Sequence, residues 1–454
     1  MIPAFRRAAA TAAAGAVLAL TACSSPLSTG PAAPTTLPPT TTTIKGASTP
    51  AQTEASNYRA QLTYLMVEQV YLLGRVTQAA VAAPASGGPT TTTGSGGSTT
   101  TTPTTGSGAS TTSTLPPAVV GPTADAASAL DTSSHDISDW LSAAEGYGTT
   151  FNAAFYPLWS QRMEDFLAYA KAKAVGYTPG SAAATAALAA NATAIAKLVH
   201  STNKYVAITT VTNPGTGLAD ELAPDNQGVT NLIDDQVAGA STAAADLVTA
   251  AELMYHTADY LAAAAAKLDP DQYPGTADGT AANLRSSLTM VLVEHVELAS
   301  LQLAAIGNGL PEGPWAAVVA TNTTELHNAI AANFSDQAAT GFSSLWNGYI
   351  SDLVAYARSK ATGDQAAASD AAGRLSGVAP AVGAFFHAQS GQLDANAVTV
   401  DLSPVVSGLQ GVADATTGHA PAATLTREAG GFVPKLASDV SEAIALRHPS
   451  LYAP

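Results

Sequence analysis

Apolar positions along the chain recur with helical spacing, and one such pattern occurs twice. Leu62, Leu65, Met66, Val70 and Leu73 fall on one face of a helix. The stretch 59–72 returns as 285–298 with seven of its fourteen positions identical, including Arg59/Arg285, Thr63/Thr289 and Glu68/Glu294. Each copy predicts the opening helix of a bundle. A second helix is expected over 124–144 and 315–334, with Asp131/Ser134 and Asn322/Thr323 as N-caps. In the third, Phe155, Trp159, Met163, Phe166 and Ala170 form a stripe that Phe342, Trp346, Ile350, Leu353 and Ala357 repeat. Trp159 and Trp346 thus belong to the core, while Asp165 and Asp352 are expected to face solvent. An Ala-rich fourth helix covers 181–200 and 365–387, and a looser stretch at Asn213 or at 401–404 precedes the last helices. No run of strand alternation competes with these periods.

The spacing between copies is informative. Glu68 and Glu294 are 226 residues apart, whereas Trp159/Trp346 and His200/His387 are 187 apart. The difference falls in 84–117, which is almost entirely Thr, Ser, Gly and Pro; the corresponding junction in the second copy is only 307–314. The tract therefore reads as a disordered insert inside the first bundle and not as a domain boundary. The expected architecture is all-α: two tandem homologous helical bundles of ferritin-like or four-helix type, with four to six helices each, at 51–275 and 276–454.

The N-terminus changes the picture. Arg6 and Arg7 precede an apolar run over 8–20, and the segment ends Leu20-Thr21-Ala22-Cys23. Residues 1–22 read as a lipoprotein signal peptide, too short to span a bilayer, with Cys23 as the lipid-attachment residue. Cys23 is the only cysteine, so lipid attachment accounts for its solitude. No further apolar run of membrane length is expected. Residues 23–50 form a Thr/Pro-rich stalk, able to reach roughly 80 Å if extended. The expected location is the extracytoplasmic face of the cell membrane.

Charged residues are 11% of the chain, against about 25% in typical domains, and the net charge is −16. Such a balance excludes nucleic acid as a partner. The expected partners are the membrane, through the N-terminal lipid, and an envelope protein or small ligand.

The helix pattern L-T-x-x-L-V-E-[QH]-V-x-L, present at 62–72 and 288–298, the later Leu-Trp helix and the segment His256, Ala258, Asp259 together resemble a family of bacterial extracytoplasmic helical-bundle proteins. That family belongs to Gram-positive and actinobacterial envelopes, often as lipoproteins, and has no settled activity. The resemblance implies Glu-His on the opening helix and W-R-x-H on the tryptophan helix. This chain keeps Glu294-His295 but has Glu68-Gln69, and its tryptophan segments read Trp159-Ser-Gln-Arg162 and Trp346-Asn-Gly-Tyr349. A metal site built on those histidines would be mostly lost here.

The candidate chemistry rests on few residues. Glu68 and Glu294 interrupt apolar runs, so each must be paired, hydrogen-bonded, metal-bound or on an exposed edge. A metal reading takes Glu68, Glu294, His295 and His256 as ligands for copper, iron or zinc, but Glu-x-x-His is absent and adjacent Glu294 and His295 lie about 100° apart on a helix. A buried Glu satisfied by Arg, Tyr or backbone is the favoured alternative, with no cofactor. His295, aligned with Gln69, suits hydrogen bonding better than ligation, because an amide is a poor transition-metal ligand. His200 and His387 sit where an imidazole caps C-terminal carbonyls. Ser201-x-x-Lys204 fits a penicillin-interacting pattern, but K-T-G is missing. A non-catalytic lipid-anchored scaffold or binding module is favoured, ahead of a metal-binding ferritin-like lipoprotein and, last, an envelope hydrolase.

Overall fold

A computed structural model describes residues 50–83, 122–144, 147–208 and 217–452. The signal peptide at 1–22, Cys23, all of the stalk but Pro50, and the insert at 84–117 lie outside the described residues.

Among the described residues the chain is all-α, with no strand. After a 3-10 turn come α1 (Glu54–Ala82), α2 (Pro122–Ser142), α3 (Gly148–Ala174), α4 (Thr178–Thr202), α5 (Leu218–Ala238) and α6 (Ala243–Leu268). Then follow α7 (Thr280–Gly307), α8 (Gly313–Asn333), α9 (Asp336–Thr362), α10 (Gln365–Leu375), α11 (Val378–Ser390), α12 (Ala395–Thr417), α13 (Ala423–Gly430) and α14 (Val433–Arg447).

α1 and α7, the two copies of the repeated stretch, pack directly on each other at the centre. α2, α3, α5 and α6 surround α1, and α8, α9, α12 and α14 surround α7. α4 lies outside α3 and α5, while α10 and α11 lie against α9 and α12. One continuous apolar core runs through all of these helices. Consequently α1 is buried without interruption over 62–74 and α7 over 292–303. The single apolar face read from the sequence is thus too narrow: these helices have neighbours on every side, the condition of a central helix.

Other local features depart from expectation for identifiable reasons. Asp131, Ser134, Asn322 and Thr323 are not caps; α2 and α8 begin about ten residues earlier, so all four lie mid-helix, the last three buried. The second Ala-rich helix breaks into α10 and α11 at Ser376-Gly377, where Pro380 has no N–H to bond the Ser376 carbonyl one turn back and its ring crowds that carbonyl. Residues 401–404 are not loose: α12 runs through Pro404. The carbonyl freed by that proline belongs to Val400, whose side chain is 57% exposed. Asp165 is buried rather than solvent-facing, and accepts a hydrogen bond from Gln161 Nε2 at 3.0 Å.

By length and composition two helices, Thr178–Thr202 and Thr280–Gly307, are apolar enough to cross a membrane, contrary to expectation. For Thr280–Gly307 the reason is its central place, with 78% of the apolar window buried in protein. For Thr178–Thr202 it is alanine content, since no charged residue occurs between Lys173 and Lys197.

Candidate functional site

The buried carboxylates Glu68 and Glu297 of the central helices are met by arginines far away in sequence. Glu68 is 1% exposed. Tyr64, one turn earlier on α1, donates its hydroxyl to Glu68 Oε1 at 2.5 Å, and Arg427 Nε of α13 donates to Oε2 at 3.1 Å. Arg427 also holds Asp136 of α2. Burial pushes the Glu68 carboxyl up to about 7, although Arg427 and Tyr64 pull it down. A second bridge joins Arg75 of α1 to Glu297 Oε2 of α7 at 3.0 Å and to Ser300 Oγ at 2.6 Å. Burial raises Glu297 as well, against the pull of Arg75.

The repeated arginines form a reciprocal pair. Arg59 Nη1 donates to Ala277 O at 2.6 Å and to Asn283 Oδ1. Arg285 Nη1 donates to Ala51 O at 3.1 Å and to Asn57 Oδ1. Each acceptor on one side is 226 residues from its equivalent on the other, so the contacts exchange under the internal repeat. The electrostatics differ. Arg59 engages both carboxylate oxygens of Asp259; burial pulls its pKa down, but Asp259 and Tyr255 together outweigh this and raise it. Arg285 has no such fork, and burial lowers it to about 10.

Around the tryptophans the two halves diverge. Trp159 Nε1 donates to Gln69 Oε1 at 2.8 Å, while Gln69 Nε2 donates to Ser134 Oγ at 2.9 Å. Below that indole lies Arg162, fully buried, with its guanidinium 5.1 Å from the Trp159 ring and 5.3 Å from the Phe166 ring. Arg162 Nε donates to Asn226 at 2.9 Å, and Nη2 is 3.9 Å from Asp225. Burial lowers Arg162 to about 10 and raises Asp225 to about 7. On the other side His295 replaces Gln69, and Tyr349 replaces Arg162. His295 is 1% exposed, its ring 4.7 Å from Trp346 and 5.5 Å from Tyr349. Burial lowers His295 to about 4, so it is neutral at ordinary pH, while hydrogen bonding to the Asn322 side chain pulls the other way. Asn322 Nδ2 donates to Val291 O at 2.9 Å and reaches Glu294 Oε1 at 3.4 Å.

The four residues proposed as metal ligands do not converge. His256 is exposed on α6, with its ring against Tyr255. Glu68 is engaged by Tyr64 and Arg427, and no group of three or more His, Cys, Asp or Glu suited to a metal occurs among the described residues. His200 and His387 do not cap the last carbonyls of their own helices as expected: each imidazole Nδ1 bonds a carbonyl six residues on, beyond the helix end, Val206 O at 2.6 Å and Leu393 O at 2.7 Å.

Sequence reasoning missed Arg427, Asp136, Arg75, Glu297 and Asp225. Glu297 alone carried a local signal, a second carboxylate within an apolar run. Two cavities, of about 30 and 20 Å³, have room for a water molecule or so, and neither is lined by Glu68, Glu294 or His295. No family model, curated protein or solved structure matches the chain.

Proposed function

We propose that the chain is a lipid-anchored envelope lipoprotein whose helical body is a non-catalytic scaffold or binding module, held at the extracytoplasmic face of the cell membrane through Cys23. The observation that carries the scaffold reading is the use made of the buried charges. Glu68 and Arg427, Arg75 and Glu297, and Arg59 and Asp259 each join distant helices by direct ion pairs. Groups committed in this way stiffen a body and are not presented to a substrate. The reciprocal Arg59/Arg285 contacts support the reading of two homologous halves, 51–275 and 276–454, joined through α1 and α7. Anchoring rests on the 1–23 sequence pattern alone.

Two experiments test this. Cys23→Ser should move the protein from the membrane fraction to the medium or stop its maturation, and unchanged membrane partition would refute the anchor. Metal content of protein purified without chelator tests the scaffold: stoichiometric copper, iron or zinc would replace this reading with the metal-binding alternative.

A further inference from the structure

The indole N–H of Trp346 has no partner in the protein, whereas that of Trp159 is met by Gln69. Trp346 Nε1 and Tyr349 Oη are buried without a hydrogen-bond partner in the protein, and the His295 ring nitrogens have no protein group to meet them but the Asn322 side chain, whose Oδ1 is otherwise unpartnered. The four residues are at most 2% exposed. The three rings stand together, with centroids 4.7, 5.5 and 5.2 Å apart for His295–Trp346, His295–Tyr349 and Trp346–Tyr349. Each buried donor or acceptor left unmade costs about 1–3 kcal/mol, and such groups in native proteins are normally met by ordered water or a bound group.

We propose that the chamber formed by His295, Trp346, Tyr349 and Asn322 is a binding site for a small neutral hydrogen-bonding molecule, with water as its resident occupant. The functional groups define that class. Trp346 Nε1 only donates, Asn322 Oδ1 only accepts, and Tyr349 and a neutral imidazole do both. The occupant must therefore accept and donate at once. A cation would face the indole N–H, and an anion would find no positive charge in the set. Burial keeps His295 in its neutral form and pushes the Tyr349 hydroxyl far up, so none of the four carries charge near neutrality.

The repeat explains why only one side has the site. On the other, Gln69 is long enough to bridge Trp159 to Ser134, and the Arg162 guanidinium lies 5.1 Å from the Trp159 ring. One half meets its tryptophan with a protein amide; the other meets it with a ligand.

The chain has four tryptophans, so ¹⁵N-indole labelling of the whole protein gives four resolvable N–H signals. The Trp346 indole, assigned with Trp346→Phe, should show a direct nuclear Overhauser effect to water, whereas the Trp159 indole, bonded to Gln69, should show none. In His295→Gln the amide restores the Gln69-type bridge, and the Trp346–water effect should be lost. A high-resolution crystal structure of the wild type should show density about 2.7–3.2 Å from Trp346 Nε1 and from a His295 nitrogen. Three results would overturn the proposal. They are His295 and Trp346 bonded directly to protein atoms with no density between, a water effect equal at Trp159 and Trp346, or stoichiometric metal with anomalous density in the chamber.

Discussion

Glu68 has almost no contact with water, yet its proton is exchangeable between the native and unfolded states. Burial raises its pKa from 4.5 to about 7. A carboxyl raised on folding binds its proton more tightly in the native state. Its contribution is complete below pH 4.5 and is lost as the pH rises through 7. Unfolding free energy measured by denaturant at pH 5, 6 and 7 should therefore contain a downward slope that Glu68→Gln removes, at most ~1.4 kcal/mol per pH unit for one proton. An unchanged slope in the variant would show that the carboxylate stays ionised throughout. His295 has the opposite sign: lowered to about 4, it withdraws stability as the pH falls through 6.5 towards 4. Gln69→Leu strands the Trp159 indole N–H and should cost about 1–3 kcal/mol. His295→Gln, which restores the residue of the other copy, should cost less than about 1.5 kcal/mol, and a larger loss would show that the two sites are not interchangeable.

Helix contacts are decided by the few places where backbones approach closely. At Gly383 of α11, an added Cβ would lie 2.3 Å from Ala395 O and 2.6 Å from Thr399 Oγ1. Gly383→Ala must push α11 off the start of α12, and a loss of about 1–3 kcal/mol is expected. Gly348, in the middle of α9, would meet nothing within 4 Å. There Ala gains helix propensity alone, about 0.5–1 kcal/mol, and should raise the melting temperature. Opposite signs at two helical glycines, read by thermal unfolding, test the packing itself; equal signs would mean that α11 and α12 are not in contact as described.

Across the whole molecule, the α1–α7 contact makes the two halves interdependent. Calorimetry should show a single unfolding transition, and two separated peaks would mean that the halves hold their folds alone. The reciprocal arginines sit at this junction, but their electrostatic support is unequal. Arg59→Met abandons the Asp259 carboxylate and should cost about 2–4 kcal/mol, below the range for a fully buried pair because the Asp259 side chain is 23% exposed. Arg285→Met removes a cation whose Nε has no hydrogen-bond partner and whose pKa burial has already lowered, so it should cost less. The reverse order would contradict the assignment of Asp259 as the dominant partner.

The sequence by itself determined the helical class and the approximate position of most helices, because 3.6-residue periodicity and breaks at Gly and Pro are local properties. It also placed Trp159 and Trp346 in the core, and it required that Glu68 have a partner, since an isolated buried carboxylate is too costly. It did not contain the partner: Arg427 lies 359 residues away, and nothing in the local pattern of α13 distinguishes it from a surface arginine. The burial of Asp165, the continuous burial of α1 and α7, and the different surroundings that Gln69 and His295 meet were likewise decided only by tertiary structure. In each, the energy depends on what the remaining helices bring to within a few ångströms, and sequence spacing carries no record of that distance.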